Sequence, residues 1–421
     1  MFKNSDKVFI GYELSDYYIQ ISVLKINEEE PETICMKDEE EYNLPLKLYY
    51  DSQNNQWLTT NQLKNIEDDE QFLCMENLWS RAVEDEEIEI HEEKITLTAL
   101  LAIFIKSTCS QLYSQIGINQ CESIMFTVPE IDEKAAETLD VMISMLQLKA
   151  KQVQYQSNTE SFCAYICQQP EEIWKHQVIA FDASKGELKE YCFSSNPLTI
   201  PRILTVEEKN HSDFKIGDAE GEHLSKQSEE FLDIARKAMS DKVVTGIYLV
   251  GEDVALGWTK EAMPFLCRNR RVFQGSNLFS KGACFSLKYK LKTSKQQPEY
   301  IYIGKDQLKS NIGMELFHKG EKRYVPLLNG GENWYDCKKE LDVILKSENA
   351  FSLFVTPLSG RNKKEFIMTL EGLSIEKERI TRIRIKIWAA SVNKIHMRLE
   401  NMGFGDFYPK TTQTWNESFE I

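Results

Sequence analysis

What the chain lacks narrows its class before any motif is read. No stretch of its 421 residues approaches the roughly 20 consecutive apolar residues of a membrane-spanning helix. No N-terminal run has the charged flank and length of a secretion signal. A soluble, cytoplasmic protein without membrane insertion is the expectation. Basic charge is scarce: 50 Lys and Arg against 66 Asp and Glu leave a formal net charge of −16. Nucleic acid is therefore excluded as a main partner, because a phosphate backbone demands a basic face. Ten cysteines show no paired spacing, with only Cys163 and Cys167 close enough to share a helical face, and none of the six histidines stands at ligand spacing from a cysteine. That pattern argues against a disulfide framework or a zinc site and for free thiols in a reducing compartment. No grouping of nucleophile, acid and base marks a hydrolase or transferase.

What is present is a long, well-patterned chain. Apolar residues make up 42% of it, and the length calls for roughly two or three domains. Acid is concentrated in Glu28 to Glu41, Glu67 to Glu70 and Glu84 to Glu93, which read as solvated loops or helix faces. From Val8 to Lys25 the pattern is strand, turn, strand, with a third strand after Pro31. Strands at Ile124, Val178, Leu188 and Ile247 then alternate with helices at Leu97, Ala135, Glu160 and Ser228, so a buried sheet covered by helices is expected. Lys288 to Gln297 is polar and closed by Pro298, and the reading is an α/β domain over 1–290, a linker over 291–298 and a further domain over 299–421. In that last part, short alternating runs separated by Lys319-Gly320, Asn329-Gly-Gly331 and Ser359-Gly-Arg-Asn362 indicate an antiparallel β-sandwich of roughly 120 residues. Met402-Gly-Phe-Gly-Asp406 reads as a hairpin turn rather than a phosphate loop.

Three short strands run into small-residue turns: Val8-Phe-Ile-Gly-Tyr-Glu-Leu-Ser15, Val178-Ile-Ala-Phe-Asp-Ala-Ser-Lys-Gly186 and Gly246-Ile-Tyr-Leu-Val-Gly-Glu252. Such turns present backbone N–H groups to a phosphate. In this order they resemble the two phosphate loops and the adenosine loop of the actin-like ATPases, most closely the DnaK-type heat-shock chaperones. The run of helix Leu97 to Ile116, strand Ile124-Met-Phe-Thr-Val-Pro129 and helix Ala135 to Leu148 is the most specific match. Phe366 to Leu373, Thr381 to Ile387 and Lys394 to Leu399 are similar to the last strands of the chaperone's peptide-binding sandwich. The resemblance implies a two-lobed actin-like fold of duplicated ribonuclease H-like sheets, with a shortened second lobe, followed by a sandwich without a helical lid.

It also implies where chemistry would lie. The first phosphate loop maps onto Glu13, Ser15, Asp16 and Tyr17. The second maps onto Asp182, Ser184, Lys185 and Gly186, and the adenosine loop onto Gly251 and Glu252. Glu13 and Asp182 are the candidate magnesium carboxylates, and Asp182 is the candidate catalytic residue. The departures are chemical: Asp16 and Tyr17 set a negative charge and a ring where polyphosphate would lie, one glycine remains of three after Asp182, and Glu252 replaces a glycine. The stretch from Asp182 to Gly251 is about half the family's length and lacks its basic adenine-clamping helix; Ser228 to Met239 reads instead as an ordinary amphipathic helix. The apolar acidic linker that transmits nucleotide state has no counterpart. The expected function is a DnaK-like pseudo-ATPase acting as a protein-binding or scaffolding module, with no cofactor; the alternative is a weak Mg-ATP-dependent chaperone hydrolysing ATP slowly in the cleft. A third reading gives the anion site another phosphate compound. Candidate peptide-binding residues are Phe317, Tyr324, Val325, Leu327 and Leu328, for a protein or peptide partner, against a bland reading in which they fill the sandwich core.

Overall fold

The computed structural model describes residues 7–35, 42–63, 72–117, 121–217, 222–293, 296, 298–346, 349–360, 362–373 and 381–421. The acidic run Glu67 to Glu70 and the end of the run from Glu28 lie outside the described residues. The chain divides into two units, Met1–Ile301 and Tyr302–Ile421.

The first unit is mixed α/β and carries two sheets built alike. In the first, Val8–Leu14 runs antiparallel to Tyr18–Lys25, which pairs with the short strand Glu32–Thr33. On its other side Val8–Leu14 runs parallel to Cys121–Val128, which runs parallel to Ala150–Ser157. In the second, Gln177–Ser184 runs antiparallel to Glu187–Asn196 and that strand to Arg202–Asn210, while Val244–Val250 and then Arg271–Gly275 continue in parallel on the other side. Numbered along the chain, each set of strands stands in the order 3-2-1-4-5.

Local chemistry explains the elements. Val8–Leu14 is buried along its whole length, as a near-continuous apolar run in a central strand requires. Helix Leu97–Ile116 starts where the Thr96 hydroxyl accepts from the Ala99 N–H and stops at Gly117 in the left-handed region. Helix Glu133–Leu146 starts on Asp132 in the same way. Helix Glu222–Ala238 lays Phe231 and Ala235 against Phe181, Ile247 and Trp258, with Phe231 edge-on to Trp258 at 4.7 Å.

Helix Leu278–Thr293 follows strand Arg271–Gly275 of the second sheet and returns to the first, lying on Val8–Leu14, Tyr18–Lys25 and Cys121–Val128 and against helix Asn158–Ile166. Glycine makes the approach close. A Cβ on Gly11 would overlap the Ser280 carbonyl oxygen, and one on Gly282 the Ser161 carbonyl oxygen. The seam is polar: Ser280 Oγ donates to Gln20 Oε1 at 3.0 Å, Cys284 Sγ to the Ser22 carbonyl at 3.3 Å and Ser286 Oγ to Gln156 Oε1 at 2.7 Å. The helix takes the first three residues of the expected linker over 291–298, since its last turn runs through Thr293; residues 294, 295 and 297 of that linker lie outside the described residues. A basic, polar sequence suits the solvated end of a helix, where cations complement the exposed carbonyls.

The second unit holds two four-stranded antiparallel sheets. One runs Glu321–Leu328, Ser310–His318, Ala350–Pro357, Lys364–Thr369, and the other Lys338–Leu345, Thr381–Ala389, Lys394–Asn401, Thr414–Glu420. Alternation sets the faces: Ile383, Ile385 and Ile387 are buried while Arg384 and Lys386 between them are half-exposed. Met402 to Asp406 lies in the connection between two paired strands, the place of a hairpin loop. Among the described residues no helix is long and apolar enough to cross a membrane.

Candidate functional site

The three turns singled out in the sequence meet at one cleft of about 740 Å³ in the first unit. Tyr17 comes from the first, Lys185 from the second and Glu252 from the third, and Lys185 joins them. Its Nζ lies 2.8 Å from Glu252 Oε1 and 5.7 Å above the centre of the Tyr17 ring. Lys47 and Glu76 add a second ion pair, at 2.5 Å, to the lining.

Three backbone donors of the first two turns are already engaged, those of Tyr17, Tyr18 and Gly186. In the first turn the Ser15 hydroxyl oxygen accepts from the N–H groups of Tyr17 at 3.3 Å and Tyr18 at 3.1 Å and donates to the Tyr18 carbonyl at 2.9 Å. Asp16 Oδ1 accepts from the Ser80 N–H at 2.6 Å. The second turn is a two-residue hairpin with Lys185 and Gly186 at φ 53° and 77°, the geometry that twisted hairpins select. The Gly186 N–H donates to the Asp253 carboxylate at 2.7 Å. At the third, Gly251 takes φ 96°, and a Cβ there would overlap the Ala183 carbonyl oxygen. Its glycine thus serves packing of the second and third turns on each other.

Two carboxyls stand behind the cleft. Glu13 is 2% exposed; its Oε1 accepts from the Tyr18 hydroxyl at 3.0 Å, and its Oε2 has no hydrogen-bond partner. Burial, and after it the neighbouring charge of Asp182, push its pKa up to about 8. Asp182 is raised as well, chiefly by burial, against the pull of the Ser184 hydroxyl that donates to its Oδ1 at 2.9 Å. A magnesium polyphosphate needs open amides and open carboxylate oxygens together. Glu13 Oε2 meets the second need, but the amides of Tyr17, Tyr18 and Gly186 are taken by the chain's own oxygens, so the residues present do not fit that group. Among the described residues no three His, Cys, Asp or Glu side chains are grouped to hold a metal ion.

The peptide-binding candidates separate. Phe317 and Tyr324 are 69% and 46% exposed on the hairpin of Ser310–His318 and Glu321–Leu328, and Val325 is half-buried. Leu327 and Leu328 are buried. Sequence reasoning missed Asp253, Tyr18, Tyr42, Lys47, Glu76 and Ser80. Tyr18 and Asp253 lie within two residues of positions the sequence had singled out, Tyr17 and Gly251, but nothing in the sequence tied Tyr18 to Glu13 or Asp253 to Gly186.

Comparison with known proteins gives domains without an assigned activity. The model described as a family of unknown function (DUF5716), C-terminal, matches residues 30–305, and that of a domain of unknown function (DUF8552) matches residues 307–421. No curated protein matches the chain.

Proposed function

We propose that this chain, which belongs to the DUF5716 C-terminal family, is a pseudo-ATPase of the actin and DnaK type that serves as a protein-binding or scaffolding module. Support for the fold comes from the repeated 3-2-1-4-5 strand order and from the helix that leaves the second sheet to lie on the first. The observation that carries the loss of activity is the Asp253 carboxylate on the Gly186 N–H, 2.7 Å away. A carboxylate there occupies the donor a phosphate oxygen would use and repels what would replace it. Partner binding falls to the second unit, where Phe317 and Tyr324 stand exposed on one hairpin.

A weak Mg-ATP-dependent chaperone is the second reading, favoured by the unpartnered Glu13 Oε2 beside Asp182. Calorimetric titration with Mg-ATP and Mg-ADP separates the two. Pseudo-ATPase character predicts no saturable heat from the wild type or from Asp182→Ala. Saturable binding that disappears in the variant would overturn it.

A further inference from the structure

The thiols of Cys163 and Cys167, set apart in the sequence by their helical spacing, lie outside the lining of the cleft. Cys163 belongs to helix Asn158–Ile166 and is 1% exposed. Cys167 is the residue on which that helix ends, and it is half-buried. Its N–H donates to the Cys163 carbonyl at 3.0 Å, so the two stand one helical turn apart. One thiol is thus within reach of solvent and the second lies directly behind it. Cys109 and Cys121 are also neighbours, but both are buried. Tyr300, beside the end of the first unit at Ile301, adjoins the pair: burial first, then Cys167 and Cys163, push its hydroxyl pKa up. Its ring stacks on Tyr289 at 4.2 Å, and the Tyr289 hydroxyl donates to its carbonyl at 3.0 Å.

We propose that Cys163 and Cys167 are a reversible oxidation site, closed to a disulfide by hydrogen peroxide. The thiolate of Cys167 attacks one oxygen of the peroxide, the O–O bond breaks, and the thiol proton leaves with the other oxygen as water. Cys167 is then a sulfenic acid. The Cys163 sulfur attacks that sulfur, the S–S bond forms as the S–O bond breaks, and the Cys163 proton departs with the hydroxide as a second water. Two thiols have given two electrons to one peroxide. Closure has a structural consequence. Helical residues four apart hold their Cβ atoms about 5–6 Å from each other, whereas a disulfide needs about 3.5–4.5 Å. The last turn must therefore shift by about 1–2 Å, and the bond from the Cys167 N–H to the Cys163 carbonyl gives way. The shift falls beside Tyr300, where the chain passes toward the second unit. In a reducing compartment a transient disulfide of this kind is the form that senses oxidant.

Hydrogen peroxide, added in stoichiometric amount to the reduced full chain, is the probe. Trypsin leaves both cysteines on one peptide, residues 152–175. After remaining thiols are blocked with N-ethylmaleimide in denaturant, mass spectrometry should find that peptide unblocked and lighter by two hydrogens. Dithiothreitol applied before blocking should restore two maleimides to it. The variants divide the roles. In Cys163→Ala the resolving thiol is gone, and dimedone captures Cys167 as the sulfenic acid; in Cys167→Ala the buried Cys163 stays a thiol. Amide exchange over 167–169 should quicken about fivefold to tenfold in the oxidised wild type, the loss of one hydrogen bond. A wild-type peptide that takes two maleimides after peroxide would overturn the site. Oxidation of Cys163 in Cys167→Ala as fast as in the wild type would overturn the order of attack, and unchanged exchange in the oxidised chain would overturn the structural consequence.

Discussion

Glu13 is the residue at which burial and charge conflict most. Its carboxyl titrates near 8 in the folded chain, raised first by burial and then by Asp182, and near 4.5 when unfolded. Between those values the folded state holds a proton that the unfolded state has lost. Stability is therefore fully present below about pH 4.5 and falls as pH rises toward 8, by up to about 1.4 kcal/mol per pH unit within the window. Glu13→Gln keeps the shape and the acceptor for Tyr18 but cannot ionise. Urea midpoints measured from pH 5 to pH 8 should fall more steeply in the wild type than in the variant; parallel slopes would contradict the assignment. Gly186 offers a second test. At φ 77°, with a Cβ placed 2.9 Å from the Ile216 carbonyl oxygen, Gly186→Ala should cost about 1–2 kcal/mol of unfolding free energy. The glycine was singled out in the sequence, there as part of a phosphate loop, and the structure gives it the left-handed place of a two-residue hairpin turn. Asp253 was not: it is 67 positions away along the chain, and no local pattern encodes a side chain that closes on a turn so distant.

At the scale of elements, helix Leu278–Thr293 decides how the first unit is assembled. Its approach to Val8–Leu14 relies on hydrogen at the Cα of Gly11, where any larger group would meet the Ser280 carbonyl oxygen. Backbone oxygen cannot turn aside as a side chain can. Gly11→Ala should therefore cost more than ordinary overpacking, about 3 kcal/mol or above, while Gly117→Ala, with open space around its Cβ but φ 69°, should cost only about 1 kcal/mol. Chemical denaturation ranks the pair. The helix illustrates what a sequence hides: its basic final turn has the composition of a linker, and only packing of the preceding turns marks it as helix. Helix Leu97–Ile116, by contrast, was readable to its ends, because a capping threonine and a terminal glycine frame an unbroken apolar pattern. The exposed hairpin of the second unit shows the opposite limit. Phe317 and Leu328 look alike in the sequence as apolar residues of paired strands, yet one is 69% exposed and the other 1%. Phe317→Ala should alter stability by less than about 0.5 kcal/mol and Leu328→Ala by about 2–5 kcal/mol.

At the scale of the whole molecule, two cores of different construction are strung on one chain. The first unit closes around helices seated on two sheets, the second around the inward faces of two antiparallel sheets. Strands Ala150–Ser157, Arg202–Asn210 and Arg271–Gly275, with few buried positions or many polar ones, were not legible in the sequence. Those at Ile124, Val178, Leu188 and Ile247 were legible because apolar runs and turns mark them. The fate of the cleft was not, because it depends on whether side chains from separate turns meet ligand or meet each other. The chain divides into two compact units, so damage to the core of one should be felt there first. Ile385 is fully buried between Ile383 and Ile387 in the second unit, and truncation to alanine should remove about 2–5 kcal/mol from it. Scanning calorimetry of the full chain, wild type beside Ile385→Ala and Gly11→Ala, then has a defined expectation. Separate cores predict two transitions, one lowered by Ile385→Ala and the other by Gly11→Ala. A single transition lowered equally by both would mean that the units unfold as one cooperative body, and the chain would then have to be treated as a single mechanical piece.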